Sequence, residues 1–528
     1  DKEAIVRFLE VTYEKYYEET GEEFGRSIPA IFTDEPQFEP KTCFPFAQTD
    51  KEAIFPYTDD LEKTFQETYK TSLLEHLPEL FWELPEGKIS KIRYWYHAHI
   101  STRFTEAFSE TMGEWCRKHN IVLTGHVMME PTLGTQTAAL GEAMRSYKGF
   151  GLPGIDMLCD RREYTTAKQA QSVSHQYGRE GVLSELYGVT NWDFDFRRHK
   201  LQGDWQAALG VTDRVHHLSQ VTLEGEAKRD YPASIHYQVP WYKEYAYIES
   251  HFARINTALT RGICDIEIGV IHPIESYWIK FGPQDQTGGI RRQLDTGFLN
   301  FTEWMLFGLL DFDFLSESLM EEQDIEVKEG KVRIEHIQYS VIIVPDCFTL
   351  RRNTVTLLKK FKDNGGKVIF AGRIPHYTDA EESMEVEEFA AGCIHVPFTK
   401  EDILGALELE RKVDVRVKII VCENQTLHEK TKYASEGERT NNLLYQLRKD
   451  GKNKWLFLCN GKEIDHEDTP LSQEVWIYIK GEYSVKVYDT LEGTISPAVC
   501  TYKEGKTIIS RVLFPCDSLL LKLEPVRK

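Results

Sequence analysis

The sequence predicts an α/β protein in three parts: a (β/α)8 TIM barrel over residues 1–263, a doubly wound, flavodoxin-like α/β domain over 264–410, and a β-sandwich over 411–528. Three observations predict this order. Strand-like and helix-like segments alternate through the first part, which favours a parallel sheet. Acidic and histidine side chains recur where those strands end, as they do on the rim of a (β/α)8 barrel. The last part switches to alternating apolar and polar residues, which is typical of antiparallel strands.

The barrel prediction depends on strand-like segments separated by helices. Residues 1–263 contain five such segments: SIPAIFTDEP, IVLTGHVMME, GLPGIDMLCD, GVLSELYG and VTDRVHHLSQ. Before the fourth, the helical segment YTTAKQAQSVSHQYG ends at Gly178, a typical helix C-cap. A closed barrel needs eight strands, so we expect three further strands to precede Asp1. On that count FTDEP ends the fourth strand and LSELYG ends the seventh.

The other two domains differ from each other in the period of their apolar residues. Residues 264–410 alternate apolar strands such as YSVIIVPDC and KVIFAG with the helix RNTVTLLKKFKDNGG, which predicts a small doubly wound sheet. Residues 411–528 contain period-two runs separated by Gly, Asp and Asn, which predict a sandwich. These runs are KWLFLCNG, EVWIYIKGEYSVKVYD, KTIISRVLF and SLLLKLEP.

Charge and composition narrow the classes of function. The formal net charge of −21 argues against a nucleic-acid partner, since phosphate binding needs a basic face. No apolar run reaches the ~18–20 residues of a membrane span. The ten cysteines are scattered without a CxxC pair, which is typical of reduced thiols and favours a cytoplasmic location. The sequence leaves the oligomeric state open, a homo-oligomer included.

Two glutamates are the candidate catalytic residues. Glu35 in FTDEP and Glu185 in LSELYG each end an apolar strand. A buried, unpaired carboxylate costs several kcal/mol, so a chain that keeps one there either pairs it or uses it. Cleavage of a glycosidic bond requires two carboxyl groups, one to protonate the leaving oxygen and one to attack the sugar or activate water. Strands four and seven would bring this pair to one mouth of the barrel.

Polar and aromatic residues near the same strand ends are candidates for binding a sugar. His126 and Glu130 lie four residues apart, so on one strand they would face the same side. Neighbouring His216 and His217 would face opposite sides, so only one can face the barrel interior. Aromatic rings suit the flat C–H faces of sugars, and residues 228–242 form a polar-aromatic loop where a rim loop belongs. The predicted substrate-binding residues are Asp34, His126, Glu130, Tyr187, Trp192, His216, His236, Tyr237 and Trp241.

The sequence resembles a known group of enzymes in several of its segments. These are FTDEP, LTGHVMMEP, MRSYKGFGLPGID, LSELYG, GDWQAALGV and GEAKRDYPASIHYQ, and they resemble bacterial α-L-rhamnosidase-like glycoside hydrolases near family 106, most strongly over residues 28–280. The domain order is also similar to that of family 42 β-galactosidases. The resemblance implies a glycoside or oligosaccharide substrate ending in α-L-rhamnose. For family 106 it also implies an inverting mechanism with Glu35 and Glu185 as acid and base, in either assignment, and a calcium ion at the sugar.

Mechanism and cofactor stay open at this stage. A β-galactosidase-like enzyme would be retaining, with Glu185 as nucleophile and Glu35 as acid/base. The separation of the carboxyl groups distinguishes the two, at about 5–5.5 Å for retaining and about 6.5–9.5 Å for inverting enzymes. No dense cluster of Asp and Asn predicts a calcium cage, so we expect no required cofactor, and calcium is implied by the resemblance alone.

Two further classes of function compete with a glycosidase. One is a metal-dependent barrel hydrolase that uses His126, His216 or His217 with an Asp, although neither HxH nor HExxH spacing occurs. The other is a non-catalytic sugar-binding protein on an enzyme scaffold. Metal content distinguishes the first, and turnover by the whole protein distinguishes the second.

Overall fold

The computed structural model describes residues 1–418, 437–463 and 472–526, and its first unit is built on a curled parallel sheet. The strands of this sheet are β1 (Ala30–Thr33), β2 (Val122–Gly125), β3 (Leu152–Met157), β4 (Val182–Leu186) and β5 (Val211–His216). The helices of the unit are α1 (Lys2–Val11), α2 (Tyr13–Thr20), α3 (Leu61–Tyr69), α4 (Pro78–Phe81), α5 (Lys91–Thr105), α6 (Thr111–Lys118), α7 (Leu133–Ala139), α8 (Ala143–Ser146), α9 (Tyr164–Gln176), α10 (Phe196–Ala208) and α11 (Tyr245–Leu259).

Each strand of the first unit lies within the segment that predicts it. The strands pair in chain order, and every neighbouring pair is parallel. Among the described strands, β1 and β5 form the two edges of the sheet. The parallel α/β unit is therefore confirmed, whereas closure into eight strands is a prediction that these strands do not complete.

The second unit contains a parallel sheet with strand order β17-β14-β12-β7-β8, the 2-1-3-4-5 order of flavodoxin-like folds. Strand β6 (Ile263–Cys264) comes just before and belongs to a sheet of the third unit. The strands of the second unit form this parallel sheet and two small three-stranded sheets. They are β7 (Ile268–Ile271), β8 (Asp313–Leu315), β9 (Ile325–Lys328), β10 (Lys331–Ile334), β11 (Ile337–Tyr339), β12 (Val341–Val344), β13 (Thr349–Leu350), β14 (Lys367–Ala371), β15 (Tyr377–Thr378), β16 (Glu381–Glu382) and β17 (Ile394–Val396). The helices are α12 (Ile274–Trp278), α13 (Gln284–Phe307), α14 (Glu317–Met320), α15 (Arg352–Asp363), α16 (Glu385–Ala390) and α17 (Lys400–Ala406).

The third unit consists of two antiparallel sheets, ordered β19-β18-β22-β26-β25 and β24-β23-β27-β21-β20-β6. Buried side chains at alternate positions of these strands form a shared core, among them Val413, Ile477, Leu456 and Leu521. The strands are β18 (Val413–Val417), β19 (Glu438–Arg439), β20 (Leu443–Asp450), β21 (Asn453–Asn460), β22 (Gln473–Lys480), β23 (Tyr483–Tyr488), β24 (Ile495–Pro497), β25 (Thr501–Lys503), β26 (Lys506–Leu513) and β27 (Ser518–Pro525).

One hydrophobic core extends through all three units. It includes Trp205 of α10, Val270 of β7 and Phe457 of β21, each fully buried. Strand β21 packs directly on α10, so the antiparallel unit is fixed against the helical layer of the first unit. Within the described part of the chain, every helix is too short or too polar to cross a bilayer.

Candidate active site

The carboxyl ends of four neighbouring strands bring acidic side chains and a histidine together. Asp34 and Glu35 follow β1, His126 follows β2, Asp156 lies in β3 and Glu185 lies in β4. His126 Nε2 lies 2.9 Å from Glu185 Oε2 and 3.4 Å from Asp34 Oδ1. Glu35, His126 and Asp156 each have one carboxylate oxygen or ring nitrogen that lies within 4.8 Å of the corresponding atoms of the other two residues. Both predicted catalytic glutamates therefore lie beside the same imidazole.

A glycine brings β1 and β2 close enough for these contacts. Gly125 has φ +115°, and a Cβ atom there would lie 2.0 Å from the carbonyl oxygen of Thr33. The next residue, His126, donates its backbone N–H to that same oxygen at 3.2 Å. A side chain at position 125 would therefore separate the strands and move His126 away from Asp34.

Non-glycine residues in the left-handed region of φ are concentrated in the loops at this edge. They are Glu35, Met129, Cys159, Asp160, Tyr187, Val189 and Asn191. The conformation is least favourable for Val189, which is β-branched and has φ +56°. Such strain costs on the order of 1–3 kcal/mol per residue and is typical of functional sites, where the surrounding structure enforces it.

The two glutamates differ in how readily they ionise. The hydrogen bond from His126 holds the pKa of Glu185 below its usual value. Burial raises the pKa of Glu35; the charge of His126 opposes that rise, and the carboxylates of Asp34 and Glu185 add to it. Burial would lower the pKa of His126, but its hydrogen bond with Glu185 and the surrounding carboxylates raise it to about 9. At neutral pH the site thus contains an imidazolium beside an ionised Glu185.

Asp156 is a site residue that the sequence prediction missed. It is aligned with Glu185 across the β3–β4 pair, so both side chains point to the same face of the sheet. Burial raises its pKa to about 7, although His126 lowers it, and Oδ1 has no hydrogen-bond partner among the described residues. The available signal was its position at a strand end, which it shares with Glu35 and Glu185.

The structure distinguishes the two consecutive histidines at the end of β5. His216, the predicted residue, donates a hydrogen bond from Nε2 to Glu249 Oε1 of α11 at 3.2 Å, away from the cluster. His217 lies two residues after Val215, which pairs with Glu185, and its backbone N–H continues the ladder to Leu186, so His217 lies on the face of the sheet that carries Glu185. His217 is therefore the histidine of the pair that belongs to the site.

Glu130 lies outside the cluster and is buried. The strand that was expected to carry both His126 and Glu130 ends at Gly125, and Met129 has φ +66°, so the two side chains no longer share a face. The hydroxyl of Tyr147 lies 3.0 Å from Glu130 Oε1 and 2.8 Å from the carbonyl oxygen of Gly154. Burial raises the pKa of Glu130 to about 8, which favours a protonated carboxyl in this chain of hydrogen bonds.

The predicted aromatic binding residues occupy three different environments. Tyr187 lies in the core, 1% exposed and packed on Phe194, so its ring is not at the rim. Trp192 is half-buried and donates its indole N–H to the carbonyl oxygen of Lys228 at 3.1 Å. The remaining predicted residues lie in the loop between β5 and α11. His236 and Tyr237 are exposed there, whereas Trp241 is half-buried.

The acidic cluster also tests the calcium ion that the resemblance implies. Two groups could hold a metal, Asp34 with Glu185 and Glu35 with Asp156, and both depend on His126 as the third ligand. Calcium takes six to eight oxygen ligands, whereas each of these groups offers two carboxylates and one imidazole nitrogen. This donor set differs from the all-oxygen cage that calcium prefers.

The fold and the cluster together match a known architecture. A curled parallel α/β sheet with carboxylates and histidines at its carboxyl edge has the arrangement of barrel enzymes. No protein-family model matches the sequence, and no curated protein sequence matches it. Structural comparison, by contrast, finds clear likenesses.

The similar solved structures are enzymes named for glycoside cleavage. A rhamnosidase from Novosphingobium sp. PP1Y superposes with a TM-score of 0.71 at 14% identity, over 100% of this chain and 48% of that one. An exo-carrageenase of family 42 from Bacteroides ovatus gives 0.60 at 14% identity, over 93% and 66%. A β-galactosidase from Bacillus circulans sp. alkalophilus gives 0.53 at 13% identity, over 89% and 77%.

These likenesses confirm the predicted resemblance in fold to a rhamnosidase and to family 42 enzymes. The chain spans about half the length of the rhamnosidase that it matches, with 48% of that chain covered. At identities of 13–14% the comparison shows the fold.

Proposed function

We propose that the chain forms the catalytic part of a glycoside hydrolase that releases terminal α-L-rhamnose, with Glu35 as the general acid and Glu185 as the ionised carboxylate. One observation carries the proposal: two glutamates beside one imidazole have pKa values that are shifted in opposite directions. Pairs of carboxyl groups whose environments separate their pKa values are the mark of acid and base roles.

The proposed reaction assigns roles according to these opposite pKa shifts. Glu35 donates its proton to the glycosidic oxygen as the bond to the anomeric carbon breaks. Glu185 removes a proton from the attacking water in the inverting route, or bonds to the anomeric carbon in the retaining route. His126 keeps Glu185 ionised and fixes its orientation through the 2.9 Å hydrogen bond. Asp34 and Asp156 are placed to accept hydrogen bonds from sugar hydroxyl groups.

The choice of sugar rests on the comparisons. The rhamnosidase matches all of the chain with the higher TM-score of 0.71, which favours a terminal rhamnose. The inverting route is implied by the resemblance of the sequence to family 106. The β-galactosidase likeness at 0.53 supports a second candidate, a retaining galactosidase. The anomer that forms first, followed by proton NMR during hydrolysis, separates inversion from retention.

The proposal is tested with the full-length protein on nitrophenyl α-L-rhamnoside and β-galactoside. Glu185→Gln should lower kcat by about 10²–10⁴-fold while rhamnose binding, measured by calorimetry, changes little. The matched control is Glu180→Gln, an exposed glutamate just before the opposite end of β4, which should leave kcat within about twofold. A wild-type protein that binds the sugar without turnover, or a Glu185→Gln variant that retains activity, would contradict the proposal.

A further inference from the structure

A second group of reactive side chains lies at the opposite end of the parallel sheet from the candidate active site. Cys264 of β6, His175 of α9 and Asp313 of β8 come together where β4 and β5 begin. His175 Nδ1 lies 2.9 Å from Asp313 Oδ1, and the same imidazole lies close enough to the Cys264 sulfur for each group to shift the pKa of the other. Arg448 Nη1 lies 2.9 Å from the sulfur atom. This is the order of contacts, nucleophile to base to orienting carboxylate, that activates a cysteine.

The charges of the group favour a thiolate. Burial would raise the pKa of the Cys264 thiol, but His175 and Arg448 hold it below its usual value. Burial would lower the pKa of His175, yet Asp313 and the Cys264 sulfur raise it to about 10. Tyr339 donates a further hydrogen bond to Asp313 at 2.9 Å, which fixes that carboxylate. The two shifts together favour the thiolate–imidazolium form of the pair over the neutral form.

The group opens into a cavity that has polar atoms free to bind a ligand. The cavity has a volume of about 560 Å³ and is lined by Cys264, His175 and Arg448. Gln171 and Gln446 also line it, each 1% exposed. Within the described ranges of the chain, Nε2 of Gln171 and Oε1 of Gln446 have no hydrogen-bond partner. A buried donor and a buried acceptor beside a thiolate suit a small polar molecule that both donates and accepts hydrogen bonds.

We propose that Cys264 is a modification site, a reactive thiolate that a small hydroperoxide admitted by this cavity oxidises to a sulfenic acid. The sulfur attacks one peroxide oxygen, and an S–O bond forms as the O–O bond breaks. The sulfur loses two electrons and the peroxide gains them. The leaving hydroxide takes the proton of the His175 imidazolium and departs as water, or as an alcohol from an organic hydroperoxide. Arg448 faces the sulfur and stabilises its negative charge until the attack.

The first test compares cysteines within the wild-type chain. Cys347 and Cys459 are 1% and 2% exposed, and burial raises the pKa of each thiol well above its usual value. Under limiting iodoacetamide at pH 7, with each site quantified by peptide mass spectrometry, Cys264 should react at least about tenfold faster than either. After treatment with hydrogen peroxide, dimedone should label Cys264 and leave Cys347 and Cys459 unlabelled.

The second test removes the base. His175→Gln should reduce the labelling rate of Cys264 by about tenfold. The matched control is His336→Gln, since His336 lines the same cavity and is exposed. If His175→Gln does not fold, Asp313→Asn and the comparison within the wild-type chain still decide the question. The proposal is overturned if Cys264 reacts no faster than Cys347 and Cys459, if peroxide yields no dimedone adduct at Cys264, or if a folded His175→Gln variant keeps the wild-type rate.

Discussion

His126 controls the ionisation of the carboxyl groups that surround it. It is fully buried and carries its proton at neutral pH, so removing that charge changes the pH dependence of the site. We expect His126→Gln to move the acidic limb of the kcat/KM profile to higher pH. The reason is that the pKa of Glu185 rises without the imidazolium, and Glu185 must be ionised to act.

The measurement is kcat/KM of wild type and variant from pH 4 to pH 9 on the rhamnoside. The loss in the variant should be largest at acidic pH and should shrink as pH rises through the range where Glu185 ionises unaided. The matched control is His216→Gln, one residue before His217 and bound to Glu249. An unshifted acidic limb in His126→Gln would show that another group sets it.

A metal chelator provides an independent test of the same cluster. The imidazolium of His126 supplies positive charge beside Glu185, which is the charge that a metal would otherwise supply. We therefore expect kcat of the whole protein to change by less than about twofold after dialysis against EDTA. Loss of activity that calcium or zinc restores would contradict this, and elemental analysis would then identify the metal.

At the residue level the sequence indicated which residues lie at strand ends, but not which face of the sheet each side chain occupies. Glu35 and Glu185 were predictable because each follows an apolar strand. The choice between His216 and His217 was not, because the register of β5 against β4 shifts at Val182 and Leu183. A bulge of one residue reverses which side chains face the interior, and the sequence carries no local mark of it.

At the level of elements, segment type was easier to predict than segment length. The strands before FTDEP and LSELYG were predictable from their apolar runs and flanking turn residues. The strand before Glu130 was predicted too long, since it ends at Gly125. Its end is set by the approach of Gly125 to Thr33 in the neighbouring strand, a contact between residues far apart in the sequence.

Asp265, in the short segment between β6 and β7, links the second and third units through its ion pairs. Asp265 is buried and pairs with Lys412, with Lys449 at 2.7 Å and with Lys454 at 2.7 Å. We expect Asp265→Asn to lower the free energy of unfolding by about 3–5 kcal/mol at pH 7, because partly buried cations lose their partner. The control is Asp450→Asn. This change removes a single ion pair, with Arg261, that is more exposed to solvent, and it should cost at most about 1 kcal/mol.

The pH dependence of that difference has a definite sign. Burial would raise the pKa of Asp265, but the lysines hold it well below its usual value. A depressed carboxyl pKa contributes stability that is present above the unfolded value of about 3.9 and is lost as pH falls through the folded value. Urea unfolding should therefore show the gap between wild type and Asp265→Asn narrowing at acidic pH. A gap that widens there would contradict the ion-pair explanation.

At the scale of the whole molecule, the sequence predicted three kinds of structure but not how they are coupled. Period-two and mixed α/β patterns report the local environment of each segment. They do not report that Phe457 of the antiparallel unit packs in the same core as Trp205 of the first unit. Closure of the parallel sheet is equally non-local, since it depends on which strands meet at the two edges.

The shared core leads to a prediction about cooperativity. Phe457 is fully buried in the core that joins the units, whereas Phe361 is equally buried in a core confined to the second unit. Either Phe→Ala change should cost about 3–5 kcal/mol. Only Phe457→Ala weakens the core that the units share. Calorimetry should therefore show a single unfolding transition for wild type and for Phe361→Ala, but two transitions for Phe457→Ala. Limited proteolysis of Phe457→Ala should then release the antiparallel unit first. Two transitions in the wild type, or one in Phe457→Ala, would mean that this core does not couple the units.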